Sequence, residues 1–326
     1  MKFNIFRVLE KDDKELIHSS FLKYLLENWG KYFYNSLFKK PHLDFNIIEL
    51  EKSYSKQRFD LEITSRDGKE IIVVENKFKS FPNRLQLANY DKILKKHHAG
   101  KTINKFLLCF DSETVSFETK QWNVITYSQL LESINIFLEK ESSLSIDERV
   151  FVEHYASFLS EYFSEFNYHI QNIDKLLRNA SEKDNKFWLR LFNSMIANKI
   201  EQKFNELNEQ ITLVINPRNT AVPLLNIIPS KWKVSGVEKL IQFQGNDVKF
   251  YIHTGNKTIV QEYIDKLQSE FNTSNGELKK LNNRDANSFF IYKEKLTNIL
   301  PYTLDITMIV DYLMDFYNRI DKRIKE

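Results

Sequence analysis

One segment of the chain constrains its fold more than any other: EIIVVENKF, from Glu70 to Phe78. Its β-branched and apolar residues are typical of a central strand that is covered on both faces of a sheet. Because side chains alternate along a strand, Val73, Glu75 and Lys77 share one face. A carboxylate and an ammonium group therefore interrupt a buried strand on the same side, where charges are costly without partners.

The segments before this strand predict helices and then two further strands. Apolar residues at helical spacing follow Asp12 and Asp13, and the period then changes to that of strands. The predicted elements are a helix from Asp12 or Asp13 to about Asn28, a helix over Tyr32–Lys39, strands over Phe45–Tyr54 and Arg58–Thr64, and a turn around Gly68.

The segments after it predict a helix between two buried strands. The helix follows Pro82 and runs to about His98, and the apolar run KFLLCF (Lys105–Phe110) is the next strand. A strand, a helix and a strand in succession favour parallel neighbours in a sheet. The remaining predicted elements of this half are a strand over Trp122–Tyr127 and helices over about Ser128–Glu139 and Ile146–Phe166.

The pattern changes near residue 167, and 326 residues suffice for two ordinary domains. We therefore predict one domain over residues 1–166 and a C-terminal domain of helices and strands over residues 167–326. The second domain carries no motif that indicates its role. Its predicted elements are a helix from Ile170 to about Phe204, four strands within residues 211–254, and helices over Thr258–Phe271 and Asp305–Ile324.

Composition excludes several classes of protein. With 42% hydrophobic and 14% aromatic residues, the chain is of the globular, core-forming kind. Its one cysteine, Cys109, lies in KFLLCF and is predicted to be a buried strand residue rather than a catalytic thiol. The sequence contains no CxxC pair that would indicate a zinc site. The first residues lack a signal-peptide core, and no apolar run approaches the roughly 18 residues that span a bilayer. A soluble cytoplasmic protein is expected.

The distribution of charge is more informative than the net charge of +3. Eight basic residues and a single acid lie between Lys77 and Lys105. A basic cluster of this kind attracts phosphate backbones. The alternative is a solvated helix face followed by a loop. Asp91 is the single acid among the eight basic residues of this segment, which are Lys77, Lys79, Arg84, Lys92, Lys95, Lys96, Lys101 and Lys105.

A second carboxylate, Asp60, lies in the preceding strand, where the turn around Gly68 can bring it beside Glu75. Two adjacent carboxylates repel each other unless a cation lies between them, and hard oxygen ligands suit Mg²⁺ or Mn²⁺. Lys77 can orient or deprotonate an attacking water, or neutralise charge on a phosphate. The alternative is a surface hairpin in which Lys77 pairs with Glu75 or with Asp60.

Three segments, in this order and spacing, resemble the PD-(D/E)XK nuclease superfamily: RFD (Arg58–Asp60), VVENK (Val73–Lys77) and QLANY (Gln86–Tyr90). The QxxxY spacing of the third is similar to the RecB-like branch. The upstream helix ELIHSSFLKYLL (Glu15–Leu26) resembles the start of a bacterial and phage family in this superfamily. Phe59 stands where the superfamily's name has proline, a position that varies widely. The resemblance implies a restriction-endonuclease-like α/β core, a mixed central sheet flanked by helices, followed here by a C-terminal α+β region.

The resemblance also implies roles for the residues of these segments. Asp60 and Glu75 would bind the metal, with the carbonyl of Asn76 as a further ligand, and Lys77 would be the catalytic lysine. Gln86 and Tyr90 would position the nucleic acid and the site. From the residues alone, Gln86 and Tyr90 share the helix face that packs on the sheet, which also suits a purely structural pair.

Three further residues are candidates for the metal site. His18 lies at the margin of an apolar helix face, where the resemblance implies a metal ligand and the residues alone also suit a structural histidine. Glu15, on the same helix, and Glu51, on the first strand, are weaker candidates. His97 and His98, at the end of a basic helix, are predicted to be surface residues.

The function predicted from the sequence is metal-dependent hydrolysis of phosphodiester bonds, in DNA. The resemblance implies a defence role against phage or foreign DNA. The alternatives are a catalytically silent module that binds nucleic acid on the same fold, and a structural protein whose acidic pair is a surface feature. No Walker A, GxGxxG, GxSxG or HExxH motif indicates another chemistry. A homodimer would suit double-strand cutting, although the sequence shows no interface.

Overall fold

The computed structural model divides the chain into two compact units, Met1–Glu165 and Phe166–Glu326. The helix start predicted at Asp12 or Asp13, and Pro82, lie outside the residues that the structure describes. The described residues are 3–8, 15–40, 45–54, 57–78, 84–115, 121–217, 220–234, 236–271, 276–278, 288–300 and 304–325.

The first unit is built around a five-stranded mixed sheet whose strands lie in chain order. The first strand pairs antiparallel with the second, and the second with the third, whereas the third, fourth and fifth strands run parallel to one another. This confirms the α/β class, the mixed central sheet and the parallel pairing predicted around the central helix. The strands are β1 Phe45–Tyr54, β2 Gln57–Ser65, β3 Glu70–Lys77, β4 Thr102–Cys109 and β5 Asn123–Thr126.

Helices flank this sheet. The element over Glu15–Phe38 consists of two helical segments that meet at a kink, where Trp29 leaves helical geometry (φ −135°, ψ 35°). This agrees with the two helices predicted to about Asn28 and from Tyr32. The helices are α1 Ile5–Val8, α2 Glu15–Phe38, α3 Arg84–His97, α4 Tyr127–Lys140 and α5 Ile146–Gln171, the last of which crosses the division between the units.

Helix α3 covers one face of the sheet. Its residues Leu87, Tyr90 and Leu94 pack in a buried cluster with Phe59 of β2 and Val73 of β3. Cys109 of β4 belongs to the same cluster and is fully buried, as predicted, and burial raises the pKa of its thiol to about 12. A thiol so protonated is a poor nucleophile. The packing fixes the N-terminal half of α3 beside the charged end of β3.

The second unit contains a six-stranded antiparallel sheet, in the order β10-β11-β9-β8-β7-β6. The four strands predicted in residues 211–254 are present, and two more follow them. Its strands are β6 Ile211–Ile215, β7 Leu224–Pro229, β8 Glu238–Gln244, β9 Asp247–His253, β10 Gly276–Leu278 and β11 Ser288–Lys295.

The helices of the second unit differ from the prediction at one point. The long helix predicted from Ile170 to about Phe204 is interrupted, because polar residues bond locally: the side chain of Asn185 donates to the carbonyl of Asn179 at 2.9 Å. The helices are α6 Ile173–Arg178, α7 Asn185–Glu206, α8 Lys257–Phe271, α9 Leu296–Ile299 and α10 Ile306–Lys325.

Within the described ranges, none of these helices combines the length and the apolar character needed to cross a membrane.

Candidate active site

The hairpin of β2 and β3 brings the two predicted carboxylates together. Gly68, with φ of 68°, lies in the connecting turn, where its N–H donates to the carbonyl of Ser65 at 2.9 Å. The register pairs Leu61 with Val74, so Asp60 comes next to the end of β3. There the backbone N–H of Asn76 donates to Oδ2 of Asp60 at 2.7 Å. The negative charge of Asp60 lies close enough to act on the Glu75 carboxyl group and raise its pKa.

Glu75 is almost entirely buried, and its two carboxylate oxygens have different surroundings. Oε1 accepts from Nζ of Lys77 at 2.6 Å and from Nε2 of Gln86 at 3.0 Å. Oε2 is buried and has no hydrogen-bond partner. With Glu75 1% exposed and Lys77 8% exposed, this pair is no surface feature, which argues against the structural alternative.

Gln86 and Tyr90 connect this carboxylate to the neighbouring strand. Nε2 of Gln86 lies 2.8 Å from the hydroxyl of Tyr90, and that hydroxyl donates to the backbone carbonyl of Arg58 at 2.9 Å. The two residues are one turn apart on α3, so they meet on the face that covers the sheet. Helix α3 is thereby joined to β2 and β3 at the site itself.

The pKa values of Glu75, Asp60 and Lys77 are all raised at this site. Burial, together with the charges of Asp60 and Glu15, raises the pKa of Glu75 to about 8, although Lys77 acts against them. Burial also raises the pKa of Asp60. The pKa of Lys77 is raised: burial opposes this, and the carboxylates of Glu75, Glu15 and Asp60 outweigh it. The lysine therefore stays charged at neutral pH.

The side chain of Asn76 leaves the opposite face of β3, towards α2. Its Nδ2 donates to the backbone carbonyl of Glu15 at 3.1 Å and to Oγ of Ser19 at 3.0 Å. Its Oδ1 accepts from the hydroxyl of Tyr127 at 2.6 Å. Ser19 and Tyr127 were not predicted, because they act through Asn76 from 57 and 51 residues away in sequence.

His18 and Glu51 are held by other partners. His18 is buried, with its ring centroid 4.0 Å from that of Phe78, and its Nδ1 lies 2.8 Å from the hydroxyl of Tyr155. A metal contact by this ring would therefore involve Nε2. Glu51, in β1, pairs with Arg58 at 3.0 Å.

The prediction for the two histidines at the end of α3 holds for His97 and is wrong for His98. His97 is exposed, whereas His98 is buried and lies 2.9 Å from the hydroxyl of Tyr54 and 3.4 Å from Glu62. The basic residues at the end of α3 predicted solvent exposure for both histidines, but the side chain of His98 is buried against Tyr54 and Glu62.

The acidic pair fits a divalent cation. Buried carboxylate oxygens without a donor are costly, and a cation removes both that cost and the repulsion between Asp60 and Glu75. Among the described residues, no three side chains of His, Cys, Asp or Glu are gathered so as to hold a metal by themselves. Mg²⁺ commonly uses one or two carboxylates and keeps several waters, so two protein carboxylates suffice.

The basic residues around α3 divide into two groups. Lys105 is paired with Asp91 at 2.7 Å, and Lys77 belongs to the acidic site. Lys79 and the side chain of Arg84 lie outside the described residues. The exposed members are Lys92, Lys95, Lys96 and Lys101.

Residues 40–164 match the family model described as the PD-(D/E)XK nuclease superfamily. The matched range contains the hairpin, α3 and all five strands of the first sheet. No curated protein and no solved structure matches the chain.

Proposed function

Because residues 40–164 belong to the PD-(D/E)XK nuclease superfamily, we propose that this chain is a Mg²⁺- or Mn²⁺-dependent nuclease that hydrolyses phosphodiester bonds in DNA. The observation that carries the proposal is the buried oxygen Oε2 of Glu75, which has no hydrogen-bond donor and belongs to a carboxyl group on which the charge of Asp60 acts. Such an arrangement suits a bound cation better than it suits a stable core.

In this proposal Asp60, Glu75 and the carbonyl of Asn76 hold the cation. His18, through Nε2, and Glu15 are further candidates, and Glu51 is the weakest because Arg58 already pairs with it. When bound, the cation supplies a water of lowered pKa and stabilises charge on a phosphoryl oxygen.

Lys77 acts as a cation in the proposal rather than as a base. Its pKa is raised by the surrounding carboxylates, so the ammonium form persists at neutral pH. A fixed ammonium group beside the site stabilises the charge that builds on a phosphate oxygen in the transition state. Glu75, at 2.6 Å, holds the ammonium in place.

Gln86 and Tyr90 keep the carboxylate and the neighbouring strand in register, which supports the assignment to the RecB-like branch. The exposed lysines of α3 support nucleic acid as the substrate, since they can contact phosphates beside the site. The nuclease domain is taken as residues 1–166. Defence against phage or foreign DNA rests on the resemblance alone. A cytoplasmic location and a homodimer that would suit double-strand cutting are further parts of the proposal.

A cleavage panel tests the proposal. Linear and circular double-stranded DNA, single-stranded DNA and RNA are incubated with Mg²⁺, Mn²⁺ or EDTA, using wild type, Glu75→Ala and Lys77→Met. Lys69→Met is the matched control, because this exposed lysine lies beside the turn at the other end of the hairpin. We expect metal-dependent cutting by wild type and Lys69→Met, and a loss of about a hundredfold or more in Glu75→Ala and Lys77→Met.

The same panel separates the alternative function. Binding of DNA without cutting under any condition, unchanged by Lys77→Met, would favour a silent nucleic-acid-binding module. Cutting that persists in EDTA, or in Glu75→Ala, would contradict the proposed site.

A further inference from the structure

Asn76, which lies between Glu75 and Lys77 on β3, is hydrogen-bonded to residues outside the site. Asn76 is 1% exposed, and its backbone N–H donates to Asp60 while its neighbours Glu75 and Lys77 face the other side of the sheet. One peptide segment therefore sets the positions of both carboxylates and of the lysine. Any group that fixes Asn76 also fixes the geometry of that segment.

The hydrogen bonds of the Asn76 side chain determine its orientation. The carbonyl of Glu15 can only accept, so the atom facing it at 3.1 Å is the amide nitrogen. The amide oxygen consequently faces Tyr127, whose hydroxyl must donate to it at 2.6 Å. With Ser19 accepting the second N–H, both amide hydrogens and the oxygen of this buried group are used.

Tyr127 is itself rigidly placed. It is the first residue of α4, directly after Thr126, which forms a capping box with Gln129. Its side chain is fully buried, and its ring packs edge-on against Phe78 with centroids 4.8 Å apart. A hydroxyl on a rigid ring that is anchored at a capped helix start has little freedom to move.

We propose that Tyr127 is a positioning residue for the metal site, which it orders through the side chain of Asn76. This inference rests on the proposed function. The hydroxyl of Tyr127, together with Ser19, fixes the peptide segment 75–77, so that the N–H of Asn76 holds Asp60 and the two carboxylates face one cation. Tyr127 itself touches neither substrate nor metal.

Tyr127→Phe tests the inference, because it removes the hydroxyl and keeps the ring. Tyr32→Phe is the matched control: its hydroxyl donates to Glu141, just beyond the end of α4, at 2.9 Å and lies outside the site. Binding of Mn²⁺ by the full chain is measured by calorimetry without nucleic acid, and the Mg²⁺ concentration for half-maximal cleavage is measured in parallel. Ser19→Ala, which removes an acceptor from the same amide, carries the test if Tyr127→Phe does not fold.

We expect Tyr127→Phe to weaken Mn²⁺ binding by about ten- to a hundredfold, as is typical when a group that orients a metal ligand is lost. Ser19→Ala should weaken it in the same direction, and Tyr32→Phe should bind like wild type. Wild-type affinity in a folded Tyr127→Phe, or in Ser19→Ala where that variant carries the test, would overturn the inference and leave the proposed function intact. A wild type that neither binds Mn²⁺ nor cuts would overturn both.

Discussion

At the scale of single residues, the Glu75 carboxyl group combines a well-bonded oxygen with one that has no donor. Lys77 and Gln86 satisfy Oε1, and the buried Oε2 is left without a partner. Proteins keep such costly groups where function requires them, and strongly shifted pKa values mark the same places. Both features occur here on one side chain.

The raised pKa of Glu75 predicts how the stability of the metal-free protein depends on pH. Its folded pKa, about 8, lies above the ordinary value of 4.5 because of burial and the nearby Asp60 and Glu15. The resulting stabilisation is complete below the lower value and is lost as pH rises through the upper one. The free energy of unfolding in EDTA should therefore fall between these two values, and less steeply in Glu75→Gln. Urea titrations at a series of pH values measure it, and parallel profiles for the two proteins would refute the assignment.

The sequence predicts which charged side chains of the strands lie on the same face of the sheet. It does not predict the hydrogen bonds that join these strands to residues distant in the sequence. Alternation along β3 placed Glu75 and Lys77 on one face, and the turn at Gly68 placed Asp60 beside them. The roles of Ser19 and Tyr127 depend on a side chain, Asn76, that alternation sends to the other face. No spacing in the sequence indicates which helix meets that face.

At the scale of elements, α3 joins the site to an exposed basic surface. Its inward residues Gln86 and Tyr90 bond at the site, and its outward lysines begin at Lys92, further along the helix. Six residues of helix, from position 86 to position 92, span roughly 9 Å. A nucleic-acid backbone bound at the site can therefore continue along the outer face of α3.

Replacing Lys92, Lys95 and Lys96 together by Gln tests this path. If each contacts a phosphate of duplex DNA, the slope of log affinity against log salt should become shallower by about 2.7, at roughly 0.9 per contact. The binding of Mn²⁺ should not change, because these lysines lie on the outer face of the helix. Fluorescence anisotropy across a salt series measures the slope, and an unchanged slope would show that the DNA runs elsewhere.

Element boundaries were predicted well where periodicity is strong and poorly where local polar bonds or buried charges intervene. Strand β1 was predicted at its observed bounds, Phe45–Tyr54. Strand β11 was not predicted, because the charged residues at its end suggested an exposed segment. Glu294 is in fact buried there and pairs with Arg319 at 3.0 Å. Strand β10, three residues long, is too short to show a period.

At the scale of the whole molecule, each of the two units has its own sheet and its own core. The acidic site is formed by residues of the first unit, from β2, β3 and α3. In the second unit, Glu294 accepts from both terminal nitrogens of Arg319, at 3.1 and 3.0 Å, and is almost fully buried. This pair, in which Glu294 is buried and Arg319 is partly exposed, links β11 to α10.

Arg319→Met should destabilise the second unit and spare the metal site. Removing the guanidinium group leaves the buried Glu294 carboxylate with only the hydroxyls of Tyr292 and Tyr312 as donors, at a cost of about 2 kcal/mol. Denaturant unfolding should report that loss, while calorimetry should show Mn²⁺ affinity equal to that of wild type. Weakened Mn²⁺ binding in a folded Arg319→Met protein would show that the second unit contributes to the site.

Anomalous diffraction from crystals soaked in Mn²⁺ can show whether Asp60 and Glu75 hold a divalent cation. We expect an anomalous peak in contact with both carboxylates, on the side of Oε2 of Glu75, and no such peak in Glu75→Gln crystals. Crystals that diffract well and carry Mn²⁺ only at other positions would rule out this metal site.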